Sequence, residues 1–374
     1  MLKICDAQQL MEKAQQLDQI VCFGAGKRLE LLENLFINTC VWKKIRCIVD
    51  NGQDKLDTTI IIKGKEFEIL SIDQLKQRNY HNFAIIITCV RYEEVAAQLD
   101  ADDVLNGIDY YCLSHIRLVE LEKGGLQKEI PSQIRLSEAP LIPKVIHFCW
   151  FGRKPIPDKY RTWMESWHRF CPDYKVVEWN EDNYDITKIA FMSQAYEKGK
   201  WGFVSDYARL DIIYNYGGIY FDTDVELVQG VDDLLYQRGF AGFQSNGQVN
   251  FGLGFGAVKG LPLIKEIMDL YDGMEFINQD GSLNMIACPI LQTQVLKKHG
   301  LHTDGEYQIV DGLTVFPEKM LCGKGMFTRR TVLKPYTRAI HHFDASWAEG
   351  EIRNRNMQLE KEMEQCTQSD SYGE

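Results

Sequence analysis

Asp222-Thr223-Asp224 sets two carboxylates one residue apart, directly after the apolar run Ile219-Tyr220-Phe221. At a turn such a pair can share a hard cation, or one carboxylate can hold metal while the other accepts from a ribose hydroxyl. The plain alternative is a solvated acidic turn. A buried-looking strand running into the pair argues against it, because two like charges there are costly without a cation. Asp206 and Arg209, three residues apart, share one helix face. They read either as a carboxylate and guanidinium aimed at sugar hydroxyls and a phosphate, or as a structural ion pair, which the spacing alone favours.

Definite elements must position these groups. Val204, Tyr207, Leu210, Ile213 and Tyr214 have helical spacing, and Gly217-Gly218 ends that helix. Ile219 to Phe221 then reads as a short strand that delivers Asp222 and Asp224 to a strand end, where α/β proteins place ligand sites. An α/β pattern surrounds this segment, opening at Ile142 to Phe148 and running to about Trp347.

The run Ser205 to Asp224 (SDYARLDIIYNYGGIYFDTD) resembles the signature of glycosyltransferase family 32. Three further stretches are similar to that family in order: Ile142 to Gly152; Cys171 to Tyr174 with Glu178 to Glu181; and Ile340 to Trp347. The resemblance covers about residues 141–347. It implies a GT-A type nucleotide-diphospho-sugar transferase domain and hexose transfer from a nucleoside diphosphate sugar (a UDP- or GDP-hexose), with retention, to a saccharide or lipid-linked acceptor in capsular or other surface polysaccharide synthesis.

Carried over by position, Asp222 and Asp224 would bind Mn²⁺ or Mg²⁺ and the donor, Asp224 being the surer metal ligand. Asp206 and Arg209 would contact the donor sugar, Trp150 would stack on the base and Tyr220 would lie beside the diphosphate. The closing stretch would add a cation or phosphate contact from His341, His342 or Ser346, with His342 favoured, and Trp347 joins the donor site. Read singly, Trp150 and Trp347 are as readily core aromatics. No carboxylate nucleophile stands out, so front-face attack is expected, the leaving phosphate taking the acceptor proton.

Residues 1–118 alternate short strands with helices and are expected to form a Rossmann-like parallel sheet. Gly24 and Gly26 follow its first clear strand, and Asp50 ends the next at the spacing of a dinucleotide fingerprint. Leu29 occupies the third glycine position, so a tight turn that binds nothing is the preferred reading over a nucleotide site. Residues 119–140 read as a linker that can carry a short helix, and 348–374 as an acidic helical tail.

Composition narrows the remaining classes. The chain has 374 residues, 45% hydrophobic, with 42 basic against 53 acidic side chains and a formal charge of −11. That length suggests two domains, since single cores stop growing near roughly 250–300 residues. The acidic balance argues against nucleic acid as a partner. No apolar stretch approaches the roughly 18 residues of a membrane helix, and no signal peptide is expected at the N-terminus. The eleven scattered cysteines include no CxxC pair and read as reduced packing residues of a cytoplasmic protein. Lipid-linked acceptors would add peripheral contact at the inner membrane face. Two other classes stay open: an NAD-dependent sugar-modifying enzyme using the first domain, and a non-catalytic scaffold of a polysaccharide assembly complex.

Overall fold

The computed structural model describes residues 2–89, 92–326 and 328–344. It divides into two compact units, the first ending at Lys123 and the second starting at Gly124.

The first unit runs β1 (Leu2–Lys3), α1 (Ala7–Gln16), β2 (Gln19–Phe23), α2 (Leu29–Phe36), α3 (Cys40–Lys44), β3 (Ile45–Val49), β4 (Thr59–Ile62), β5 (Lys65–Leu70), α4 (Ile72–Gln77), β6 (Phe83–Ile87), α5 (Tyr92–Asp100), β7 (Tyr110–Cys112) and α6 (Leu113–Leu126). Its sheet has the order β1-β7-β6-β2-β3-β5-β4, and only β4 pairs antiparallel. Both faces are covered, and the strand sequences show why. Ile20 and Cys22 enter one apolar cluster while Val21 and Phe23 enter the other, and Ala84 and Ile86 alternate likewise with Ile85 and Ile87. Period-two side chains that are apolar at every position can only be satisfied by layers on both sides.

In the second unit the elements are β8 (Val145–Cys149), α7 (Asp158–Phe170), β9 (Lys175–Trp179), α8 (Ala190–Glu197), α9 (Trp201–Tyr216), β10 (Gly218–Tyr220), β11 (Val225–Leu227), β12 (Gly239–Gly242), β13 (Phe255–Ala257), α10 (Pro262–Asp269), α11 (Cys288–Lys298), β14 (Gln308–Val310), β15 (Leu313–Phe316) and β16 (Ala339–His341). The main sheet follows β14-β15-β12-β13-β10-β8-β9, with β9, β8 and β10 mutually parallel. A separate antiparallel pair joins β11 to β16. Both units are thus α/β with parallel-rich sheets, the fold class that the alternation predicts.

Helix α9 is buried from Phe203 to Ile213 on almost every side, which is why no clean apolar stripe marks it. It stops at Gly217, whose N–H bonds the Ile213 carbonyl at 2.8 Å with φ at 68°. At Gly218, φ is 108° and a Cβ would come within 2.8 Å of the Val145 carbonyl oxygen. The tight reversal therefore needs glycine at that point.

Helix α6 runs through Leu126 into the segment expected to be a linker, because Ile116, Leu113 and Glu122 are buried along it. Residues beyond it are not free chain either. Ile134 and Ile142 are buried, and the N–H groups of Leu136, Leu141 and Ile142 bond the carbonyls of Tyr236 and Leu235. The expected acidic tail, 348–374, lies outside the described residues. Among the described residues no disulfide joins the ten cysteines, and no helix is long and apolar enough to cross a membrane.

Candidate active site

The strand β10 ends at Tyr220, and the chain turns through Asp222 and Asp224 into β11. The β11–β16 pairing sets Val225 opposite His341, so a residue more than a hundred positions away enters the acidic turn. Asp222, Asp224 and His341 each offer a ligand atom, and these atoms lie within 4.8 Å of one another.

Arg209 links the turn to α9. Its Nη2 lies 3.0 Å from Asp206 Oδ1 and 3.2 Å from Asp222 Oδ1, and its Nε donates to the Ser205 carbonyl. The guanidinium also sits over the Tyr220 ring, 5.1 Å from its centroid, and Tyr220 donates its hydroxyl to Asp222 Oδ1 at 3.1 Å. The Cys288 thiol, at the start of α11, lies beside Asp206. Burial raises the Asp206 and Asp222 carboxyls against the lowering pull of Arg209. Burial likewise raises Asp224, opposed by a backbone N–H from Asp344. Three carboxylates against one guanidinium leave two formal negative charges in a partly buried turn, which a divalent cation would balance.

His341 is held differently from a free ligand. Its Nδ1 accepts the Phe343 backbone N–H at 3.1 Å, so in the neutral ring Nε2 carries the proton, and that atom lies 3.3 Å from Asp224 Oδ1. Burial lowers the ring to about 4, keeping it neutral at pH 7. The residues present therefore fit a divalent cation held by Asp222 and Asp224, with His341 presenting a proton to the carboxylate rather than a lone pair to the ion.

Of the residues singled out in the sequence, Asp206, Arg209, Tyr220, Asp222 and Asp224 converge. His342, favoured there over His341, turns away: its ring stacks on Trp163 with centroids 4.0 Å apart, and Nε2 lies 2.9 Å from Glu226. Strand alternation is the reason, since adjacent residues at the end of β16 face opposite sides. Trp150 reaches the site only through neighbours. Its Nε1 donates to the Lys154 carbonyl, and its ring packs on Tyr160, which donates to Asp344. Ser346 and Trp347 lie outside the described residues.

The first unit's fingerprint residues are engaged with one another. Asp50 accepts the Ala25 N–H at 2.6 Å and the Gly52 N–H at 2.8 Å, and pairs with Lys55. Gly24 has φ of 121°, and Gly26 has open space where a Cβ would stand. Asp50 thus braces its own loop.

Three positions escaped sequence reasoning. Asp344 is held by Lys159 at 2.6 Å while its backbone N–H reaches Asp224; its place beside the double histidine was the available signal. At Gly252 a Cβ would stand 2.6 Å from Asp222 Oδ2 and 3.0 Å from Arg209 Nη1. Cys288 lies 66 positions downstream of the intervening turn's first carboxylate, Asp222, by direct subtraction. Nothing local marks the last two.

Residues 157–241 match the family described as "Glycosyltransferase sugar-binding region containing DXD motif". This segment holds Asp206, Arg209, Asp222 and Asp224. The chain is 29% identical over 141 residues to inositol phosphoceramide mannosyltransferase 3 of Schizosaccharomyces pombe, covering 36% of this chain and 39% of that one. It is 31% identical over 114 residues to inositol phosphoceramide mannosyltransferase 1 of the same organism, covering 28% and 34%. The matches thus span well under half the length of these relatives. Among solved structures, PaToxG glycosyltransferase matches at a TM-score of 0.35 and 22% identity, over 49% of this chain and 79% of that one.

Proposed function

We propose that the protein is a metal-dependent glycosyltransferase that moves a hexose from a nucleoside diphosphate sugar to a glycolipid or saccharide hydroxyl, with retention. The observation that carries this reading is the ionic unit of Arg209 and Asp222 beside Asp224, inside the segment that matches the DXD glycosyltransferase region. Mannose is the favoured sugar and a glycolipid the favoured acceptor, because the relatives are named as mannosyltransferases acting on inositol phosphoceramide. That preference displaces a capsular role. A GT-A type arrangement, a Rossmann-like first unit, a cytoplasmic location and contact with the inner membrane face belong to the same proposal.

Electrostatic stabilisation of the departing diphosphate would come from Mn²⁺ or Mg²⁺ when bound. Asp222 and Asp224 would hold the ion. Arg209, rigid between two carboxylates, orients Asp222 and adds positive charge near the leaving group, and His341 orients Asp224 through its Nε2–H. Front-face attack, with the acceptor proton passing to the leaving phosphate, requires no protein nucleophile. Donor hydrolysis across UDP- and GDP-hexoses with Mn²⁺, GDP-mannose included, tests the reading. Turnover of one donor that disappears in Asp222→Asn and Asp224→Asn proteins supports it, and turnover unchanged in both overturns the metal role.

A further inference from the structure

A cavity of about 510 Å³ opens in the second unit, between β9 and the end of α9. None of Asp206, Arg209, Asp222, Asp224 or His341 lines it. Its wall is aromatic: Trp179 and Tyr216 lie with ring centroids 5.2 Å apart, tilted by 36°. Trp179 is fixed in orientation, its Nε1–H donating to His147 Nδ1 at 3.0 Å. Tyr216 is 59% exposed, although it is a large ring at the end of an otherwise buried helix.

The floor is polar and rigid. Asp211, only 7% exposed, accepts the Tyr184 hydroxyl at 2.8 Å and Lys188 Nζ at 2.5 Å on Oδ2, and the Asn215 amide at 2.8 Å on Oδ1. A carboxylate has about four acceptor positions, so one direction on Oδ1 is left for a ligand hydroxyl. Asp185 and Lys259 complete the charged lining. Two carboxylates are then matched by two ammonium groups, and the pocket has no net charge with which to select a phosphate.

Flat aromatic faces suit the C–H face of a pyranose ring, while a buried carboxylate, amides and an ammonium suit its hydroxyls. We propose that this pocket is a second carbohydrate subsite that takes a neutral hexose unit of a glycan, separate from the site at Asp222 and Asp224. The transferase reading explains why such a glycan would be nearby, but the binding itself is independent of transfer.

Saturation-transfer NMR on the full chain, with α-mannobiose, maltose and cellobiose as probes and no nucleotide or metal present, tests the assignment. At least one disaccharide is expected to bind the wild type and to bind equally well when Asp222→Asn and Asp224→Asn are combined. Tyr216→Ala should weaken that binding about tenfold or more, and Tyr216→Phe, which keeps the ring, should restore it. Thermal melts confirm that the variants fold, and Tyr216→Ala should still hydrolyse the donor. Failure of all three disaccharides to bind, binding indifferent to Tyr216→Ala, or binding lost with the aspartates overturns the proposal. Disaccharide binding without any donor hydrolysis upholds the subsite and sinks only the transferase reading.

Discussion

Arg209 Nη2 lies between Asp206 and Asp222, 3.0 Å from one carboxylate and 3.2 Å from the other. One nitrogen thereby ties the helix α9 motif to the turn that follows β10. The guanidinium is 5% exposed, so its two partners are a condition of its burial rather than an optional gain. The unit also leaves the carboxylates in excess, an imbalance that the proposed divalent cation would offset.

Mn²⁺ binding is expected to separate His341 from the aspartates. Asp224→Asn should weaken Mn²⁺ at least tenfold, since a carbonyl oxygen replaces a charged ligand. His341→Gln should hold Mn²⁺ within a few-fold of the wild type, because an amide N–H can still face Asp224. Calorimetric titration, or EPR of free Mn²⁺, reads both. If His341→Gln loses the metal as fully as Asp224→Asn does, imidazole is a ligand and the orientation described above is wrong.

Removing the central cation should unfold the unit more readily than removing a surface charge. Arg209→Met leaves the part-buried Asp206 and Asp222 without their shared cation, a change that costs about 3–5 kcal/mol in comparable buried pairs. Urea unfolding followed by tryptophan fluorescence measures it. A loss below about 1 kcal/mol, the range of exposed pairs, contradicts the structural role.

Gly252→Ala tests how closely the backbone approaches the site. The added methyl would stand 2.6 Å from Asp222 Oδ2, so the carboxylate must move. Donor turnover should fall by tenfold or more with a small change in melting temperature, since the nearest atoms belong to the site rather than the core. Wild-type turnover in this variant removes Asp222 from the reaction.

Acid stability should carry the mark of His147. Its Nδ1 accepts from Trp179 and its Nε2 bonds the Gly217 carbonyl at 3.0 Å, and burial lowers the ring to about 4 from an ordinary 6.5. The folded value is depressed, so the stabilisation is complete above pH 6.5 and is lost as pH falls from 6.5 toward 4. The shift corresponds to on the order of 3 kcal/mol. His147→Gln should flatten the unfolding profile over that window. A profile as steep as the wild type's assigns the acid sensitivity to other groups.

Much of the architecture was legible because the signals were local. Ile45 to Val49 forms a strand, and Leu29 to Phe36 and Ile72 to Gln77 form helices, within the alternation that residues 1–118 predict. The region of Asp206, Arg209, Asp222 and Asp224 was legible for a similar reason: a helix, a glycine stop and a short strand lie within twenty residues and constrain one another. Within the expected linker, 119–140, the polar composition gave no sign that Ile134 is buried, nor that Ile142 just beyond it is. Composition reports average exposure, while two anchored residues suffice to dock a strap.

The sequence by itself determined the parallel-rich α/β class, the strand end that carries Asp222 and Asp224, and the reduced, packed character of the described cysteines. Each depends on residue type and short-range spacing, which backbone geometry converts directly into facing. Only the tertiary structure decided that His341 rather than His342 enters the site, that Arg209 serves Asp222 as well as Asp206, and that a side chain at position 252 would press on Asp222. Those outcomes depend on the β11–β16 register and on the approach of the 250–253 turn to α9. A one-residue change of register would exchange the two histidines, because neighbouring side chains on a strand point to opposite faces.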